Sequence, residues 1–366
     1  MMKRLRRGLV RLLPVFLLST AASLALLGCG RPEEPNLSSG YQSDSYLFCF
    51  WNVENLFDDR NDNRHGADAA YDRWFAEDAR DREEKYAHLS QALLKMNDGR
   101  GPDILAVAEV ESVRAAELLR DALNDHLPAD VPPYTHVLMK DLNAGRHIAT
   151  AILTRLPVQQ DRTHLLGRSL RILEGHITVN KHDLVILATH WTSRLTDKSG
   201  SHRCKYGDQI YGRFLGMYKN NPKVDLLICG DFNDNPTDRS VTDCLHATGD
   251  VDAFRRAATR DRPLLLDLLA APLFKTKEVQ GRWSIPGTEY DRGRWSIFDQ
   301  IVVSPGMLDD EGWHCDPASA AIFVDDLLRR TRRGVQPWRF GNRHQEGRRG
   351  YSDHLPVTVR LELSGS

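Results

Sequence analysis

The chain has 366 residues, 41% hydrophobic and 27% charged, the proportions of a soluble globular protein with room for one large domain or two ordinary ones. A formal net charge of −1 provides no global field to draw in a polyanion, so any affinity for phosphate or nucleic acid must come from a local patch. No glycine-rich phosphate loop follows a strand, no repeat is visible and no zinc-like Cys/His spacing occurs, which excludes P-loop, dinucleotide-binding, solenoid and structural-zinc readings.

In chain order, Lys3, Arg4, Arg6, Arg7 and Arg11 precede an apolar stretch from Val15 to Leu27 that is short for a bilayer span but suits a signal-peptide core. Leu26-Leu27-Gly28-Cys29 resembles a bacterial lipobox. It predicts a signal peptide over 1–28 and lipidation of the Cys29 thiol, against an ordinary secretory signal with a chance cysteine. Gly30, in place of aspartate, points to a lipoprotein of the outer membrane facing the periplasm or the exterior, and 29–44, rich in Pro, Glu, Ser and Asn, reads as a flexible tether. One catalytic domain is expected over 45–364. Of the other cysteines, Cys49 and Cys229 sit in apolar runs and read as core, while Cys204, Cys244 and Cys315 leave room for one disulfide whose partners stay open.

Tyr46 to Trp51 and Ile104 to Ala108 read as buried strands ending at Asn52 and Glu109, with a helix between them marked by Tyr86, Leu89, Leu93 and Met96. Ile148 to Leu153 and Leu184 to Thr189 are further strands, the second ending at His190. Ile210, Tyr211, Phe214, Leu215 and Tyr218 form a helical stripe before the run Val224 to Cys229, which ends in Gly230-Asp231-Phe232-Asn233. Phe298 to Val303 is a strand with Asp299 near its start. The last strand, Leu355 to Leu363, alternates strictly, so one of its faces should meet solvent or an outer layer. The irregular spacing argues against a barrel of eight equal units.

The strand ends concentrate chemistry. Side chains two apart on an extended chain share a face, so Asp231 and Asn233 should project together from the sheet edge. Asn52 and Glu54, Glu109, His190, Asp299 and Asp353-His354 stand at other strand edges. Oxygen ligands without thiolates suit Mg²⁺, Mn²⁺ or Ca²⁺ better than zinc, and the histidines add proton donors and cationic partners for phosphate oxygens.

In their order and placement these motifs resemble the endonuclease/exonuclease/phosphatase superfamily, which includes deoxyribonucleases, abasic-site endonucleases, neutral sphingomyelinases and inositol-polyphosphate phosphatases. His190-Trp191-Thr192-Ser193-Arg194 is similar to the His-Trp-Pro-Ser-Arg of a bacterial extracytoplasmic branch, with Thr192 in place of proline. The resemblance implies an α/β four-layer sandwich, with two mixed β-sheets packed face to face and helices outside. It implies Glu109 as the principal Mg²⁺ ligand (Mn²⁺ substituting), assisted by Asn52, Glu54 and Asp353. Asp231 would activate the attacking water, and Asn233 would fix that water or hold the scissile phosphate. His354, oriented by Asp299, would bind a phosphoryl oxygen, and His190 would serve the leaving oxygen.

Eight arginines between Arg329 and Arg349, interleaved with Trp338 and Phe340, lead into the Ser352-Asp353-His354 motif. They suit a substrate wall, and Arg339, Arg343, Arg194 and Arg203 are the expected phosphate contacts. The acidic loop 58–66 fails as a calcium loop because Arg64 and Ala70 occupy the positions needing glycine and glutamate. The expected function is a metal-dependent nuclease acting as a monomer. The alternatives are a phosphatase or sphingomyelinase-like diesterase on nucleotide, inositol or lipid phosphates, and, outside enzymes, an inactive envelope binding module.

Overall fold

The computed structural model describes residues 45–364 except 143–144, 168, 259–260, 280, 282, 333 and 346. The predicted leader, Cys29 and the tether lie outside the described residues. Among the described residues no helix is long and apolar enough to cross a membrane.

The first half of the domain holds β1 (Ser45–Leu56), α1 (Ala69–Glu77), α2 (Ala79–Leu94), β2 (Ile104–Val110), α3 (Val113–Asn124), β3 (His136–Met139), β4 (Ala149–Thr154), β5 (His164–Leu165), β6 (Ile172–Val179) and β7 (His182–His190). After α4 (Ser201–Asn220) come β8 (Asp225–Asp231), β9 (Ala247–Thr248), α5 (Val251–Ala257) and β10 (Leu265–Asp267). Four short strands follow, β11 (Lys277–Val279), β12 (Trp283–Ile285), β13 (Glu289–Asp291) and β14 (Arg294–Ser296). The chain ends with β15 (Asp299–Val303), β16 (Trp313–Cys315), β17 (Ala321–Ile322), β18 (Leu328–Thr331), β19 (Gly334–Pro337) and β20 (Val357–Leu363).

Two seven-stranded mixed sheets form the centre. One runs β16-β20-β1-β2-β4-β3 with β17 also on β20, and the other runs β5-β6-β7-β8-β15-β10-β9. Their central strands pack face to face, β1 and β2 against β7, β8 and β15, and Thr150 Oγ1 crosses the interface to the Ala188 carbonyl at 3.1 Å. The expected four-layer sandwich is the observed fold. The buried strands are near-continuous apolar runs because both faces are covered, whereas β20 exposes Arg360 and Glu362, as its alternation predicts. Its ladder starts at Val357 rather than Leu355, because Pro356 has no N–H to donate.

Helices cover the outer faces. Tyr206, Ile210 and Phe214 lie on one stripe of α4 and bury against Val185, Leu187, Leu226 and Ile228 of the second sheet. Each such side chain contributes roughly 2 kcal/mol by leaving water. Ser112 caps α3 by accepting from the Ala115 N–H at 3.0 Å, an arrangement worth about 1 kcal/mol. A disulfide joins Cys204 of α4 to Cys244, while Cys315 is free and buried.

Candidate active site

The site forms at one end of the sandwich because adjacent strands end in register. Asp231, at the end of β8, is paired laterally with His190 on parallel β7 and with Asp299 on antiparallel β15. This pairing is tight enough that a Cβ on Gly230 would lie 2.2 Å from the Thr189 carbonyl, so only glycine fits before the aspartate. Trp191 and Phe232, the residues that follow β7 and β8, stack at 4.4 Å with planes 4° apart and fix both strand ends from behind. The Phe232 N–H donates to the Phe298 carbonyl at 2.8 Å, which ties in the third strand end.

The other sheet supplies the rest. Asn52 on β1 donates through Nδ2 to Asp231 Oδ2 at 3.0 Å, a bond that bridges the two sheets. Past Asn52 the β1–β2 ladder shifts register, and Glu54, Asn55 and Glu109 adopt left-handed backbone with φ of 53°, 55° and 64°. Asn233 does the same at 51°. Such positions cost on the order of 1 kcal/mol each for residues other than glycine, and they cluster where side chains must be re-aimed. Here they turn Glu109 out of its strand, so that Oε2 accepts from the Asn55 N–H at 3.0 Å while Oε1 lies 3.9 Å from His190 Nε2.

His354 reaches this edge from the loop before β20. Its Nδ1 is 2.7 Å from Asp299 Oδ2, and its Nε2 is 3.8 Å from Asp231 Oδ2. The loop is pinned by Trp51 Nε1 donating to the His354 carbonyl at 2.9 Å and by Ser352 Oγ donating to the Asn52 carbonyl at 2.6 Å. Thr288 Oγ1 accepts from the Asp299 N–H at 3.1 Å, so Asp299 is held as well.

Electrostatics separate the roles. Burial pushes the Asp231 carboxyl up to about 7, with Asp299 adding to the rise. Burial opposes charge on His354, but Asp299 and Asp231 outweigh it and hold the imidazole protonated well above the usual histidine range. His190 goes the other way, depressed by burial and by Arg171, His354 and Arg146, so it is neutral. Its Nδ1 and Asp299 Oδ1 are buried without a hydrogen-bond partner among the described residues.

Asn52, Glu109, His190, Asp231, Asn233, Asp299 and His354 therefore converge at one edge. Asn233 braces the site: its N–H donates to Asp231 Oδ1 at 2.8 Å and its side-chain amide donates to the Trp191 carbonyl at 3.2 Å. Glu54 and Asp353 differ from the metal-ligand expectation, because both already hold a cation. Arg339 donates from Nε to Glu54 Oε1 at 2.8 Å and lies 3.1 Å from Asp353 Oδ2, and the Phe340 N–H occupies Glu54 Oε2 at 3.0 Å. Buried Lys85 adds a second positive charge in their field.

Two expected phosphate contacts are corrected. Arg203 is buried, donating to Asp234 Oδ2 at 2.7 Å and to the Asp197 carbonyl at 2.7 Å, so it ties α4 to the loop after β8. Arg194 binds the Asn233 carbonyl at 2.8 Å and Asp234 at 2.9 Å, bracing that loop. Arg343 pairs with Glu77 at 3.0 Å and lines, with Tyr71 and Trp74, a cavity of about 380 Å³. Two arginines that the sequence did not single out flank the site instead: Arg171, whose carbonyl accepts from the His190 N–H at 3.0 Å, and Arg146, which binds Asn55 and Asp68. Neither lies in a motif; each sits in the loop leading into a strand, Arg146 before β4 and Arg171 before β6, and only the fold brings them here.

The donor set fits a hard divalent cation. The oxygens on offer are the carboxylates of Glu109 and Asp231 and Asn52 Oδ1, which also accepts from the Glu54 N–H at 3.1 Å, and the nearby strand thiols Cys49 and Cys229 are buried and pushed up toward the neutral form. Asp231, Asp299 and His354 also have potential ligand atoms within 4.8 Å of one another, but the Asp299–His354 hydrogen bond uses the imidazole Nδ1 and one Asp299 oxygen, which favours proton handling there.

Fold and edge together define a phosphoesterase-type scaffold. The chain belongs to the Endonuclease/Exonuclease/phosphatase family, whose sequence profile matches residues 47–363, and members of that family are hydrolases acting on phosphoester bonds. Among solved structures it is similar to an endonuclease/exonuclease/phosphatase family protein from Bacteroides thetaiotaomicron (TM-score 0.51, 15% identity, 89% of this chain and 100% of that chain covered). It is also similar to a mannosyl-6-phosphatase from the same organism (0.46, 14%, 86% and 99%) and to the human nocturnin catalytic domain (0.46, 14%, 88% and 96%). At these identities the likeness is one of fold. No curated protein is significantly similar in sequence.

Proposed function

We propose that the protein is a Mg²⁺-dependent phosphodiesterase acting on nucleic acid, a lipoprotein held at the outer membrane through Cys29 and working as a monomer. The observation that carries the catalytic reading is the convergence on Asp231: Asn52 donates to it at 3.0 Å, His190 and His354 stand 3.7 and 3.8 Å away, and Asp299 is its register partner.

Glu109 and Asn52 would hold the metal, with Asp231 at its margin; the bound cation supplies Lewis-acid stabilisation of negative charge on the phosphoryl and leaving oxygens. Asp231, with its carboxyl near 7, accepts the proton of the attacking water, and Asn233 and Asn52 fix its two oxygens in place for that task. His354, kept cationic by Asp299, donates to a non-bridging phosphoryl oxygen and stabilises charge that grows in the transition state. His190 is neutral and so serves as a hydrogen-bond donor to the leaving oxygen rather than a strong acid. Glu54 and Asp353 orient Arg339, which presents its guanidinium beside the site for a substrate phosphate.

The test is hydrolysis of a chromogenic phosphodiester and of single-stranded DNA by the full chain with and without Mg²⁺, beside Asp231→Ala and His354→Ala. Turnover that needs Mg²⁺ and collapses in both variants supports the reading; no turnover, or variants matching wild type, overturns it. The anchor is tested by palmitate labelling, which Cys29→Ala should abolish.

A further inference from the structure

Three β-hairpins stand apart from the two sheets, β11/β12, β13/β14 and β18/β19. Two of them are rooted on catalytic residues. Glu289, at the start of β13, pairs by backbone with His354, and Thr288 just before it accepts from Leu355 N–H at 2.8 Å and from Asp299 N–H at 3.1 Å. The exit of β19 at Pro337 leads within two residues to Arg339, which grips Glu54 and Asp353. The hairpins also touch one another: β13 packs against β19, and the Cβ position of Gly334 is 3.6 Å from the Trp283 ring.

Glu278, Glu289 and Asp291 lie on the first two hairpins, but the third is one-sided. The segment 328–337 carries four arginines and no carboxylate, in a chain whose net charge is only −1. Arg329, Arg330 and Arg332 are exposed there, and Arg292 and Arg294 are exposed at the turn of β13/β14. Asp291 approaches Arg292 only at 3.6 Å, an exposed pair too weak to neutralise it. Half-buried Tyr290 and Trp295 pack across that hairpin with ring centres 5.2 Å apart and planes tilted by 58°, which stiffens it.

We propose that these hairpins form a docking shelf for the sugar–phosphate backbone of a polynucleotide, leading away from the His354 side of the site. The inference rests on the nuclease reading and names its substrate class: a chain, not a mononucleotide. A four-residue strand spans roughly 13 Å, so the arginines along it present a row of cations rather than a single site, which suits a chain carrying phosphates at regular intervals.

The experiment uses the full chain in detergent with chelator present, so that nothing is cleaved. Fluorescence anisotropy of a labelled 12-mer single strand is followed from 50 to 200 mM salt for wild type, Arg292→Ala/Arg294→Ala/Arg329→Ala/Arg332→Ala, and the matching four-lysine variant. Each lost phosphate contact should reduce the salt slope of log K by about 0.7, so the alanine variant is expected to bind at least tenfold more weakly with a slope smaller by about two to three. The lysine variant should keep the slope, which separates charge from misfolding. In parallel, Mg²⁺-supported hydrolysis of a small chromogenic diester should stay within twofold of wild type in both variants. Equal slopes and affinities in wild type and the alanine variant would overturn the shelf. So would an effect confined to vesicles containing phosphatidylglycerol, which would assign the patch to a membrane. If no protein hydrolyses the small diester but the slope changes, the shelf stands and the nuclease reading fails.

Discussion

The second sheet contains two buried carboxylate–histidine clusters built from similar parts. On β6 and β7, Glu174 accepts from Arg213 Nε and Nη2 at 2.7 and 2.6 Å and lies 3.1 Å from His176 Nε2, while Asp183 is 3.0 Å from His176 Nδ1 and 2.8 Å from Arg162. At the strand ends, Asp231 has cationic His354 at 3.8 Å and neutral His190 at 3.7 Å, and Asp299 Oδ1 is buried without a hydrogen-bond partner among the described residues. The carboxyl pKa values move apart accordingly. Burial tends to raise Glu174, but Arg213 and His176 overcome it and hold the group near 2, whereas burial wins at Asp231 and lifts it to about 7. Burial without compensating charge does not mark a functional acid by itself, since Asp225 and Asp267 are also lifted to about 7; what sets Asp231 apart is that two histidines and a second carboxylate converge on it.

That contrast can be broken by substitution. Asp231→Asn should lower kcat by about 10³, within the usual range for losing a general base, and leave the metal-free protein at least as stable as wild type at pH 7. Glu174→Gln should leave kcat within about twofold but lower Tm by several degrees, since removing one partner of a buried pair costs about 2–3 kcal/mol when the other partner, Arg213, is partly exposed. Thermal melts and steady-state rates on both variants decide it.

A smaller effect sharpens the site half. His354→Ala should cost about 10² to 10³ in kcat, and Asp299→Asn about tenfold, with a shifted pH profile because it removes the acceptor at His354 Nδ1. An Asp299→Asn profile that matches wild type would contradict the orienting role. Metal should also distinguish the clusters: Mg²⁺ in excess raises Tm by mass action, an increase expected to persist in Glu174→Gln and to vanish in Glu109→Ala.

The smallest effect is the opposite pH dependence of stability. Asp231 is raised from 3.8 to about 7, so it binds its proton more tightly when folded, and metal-free protein should lose stability as pH rises between those values. Glu174 is lowered from 4.5 to about 2; its contribution is present above 4.5 and is lost as pH falls toward 2. His176 is raised despite burial, by Asp183 and Glu174, so its contribution is fully present below 6.5 and is lost as pH rises from there through its folded value. Denaturant melts from pH 3 to 8 in chelator should show Asp231→Asn removing the loss toward neutral pH and Glu174→Gln flattening the acid limb.

Much of this was legible in the sequence because strands announce themselves. The apolar runs before Asn52, Glu109, His190 and Asp231 placed each polar residue at a sheet edge, and the family resemblance supplied the sandwich in which those edges meet. What stayed hidden was partnership. Nothing in the spacing says that Glu54 and Asp353 would already hold Arg339, or that Arg203 would bury against Asp234, because those pairings depend on how separate loops fold over one another. The same holds for Arg171 and Arg146, which reach the site only through sheet pairing and loop packing. The Glu174 cluster carried no motif, and the strand that bears Glu174 and His176 was not among those the apolar runs marked.

The account stands most directly on one measurement: the rate of phosphodiester hydrolysis by the full chain as Mg²⁺ is titrated after chelation, with Asp231→Asn and Glu174→Gln in parallel. It predicts saturable, Mg²⁺-dependent turnover in wild type and Glu174→Gln, and turnover about 10³ lower in Asp231→Asn at every Mg²⁺ concentration. Turnover indifferent to Mg²⁺, or an Asp231→Asn rate close to wild type, would contradict it.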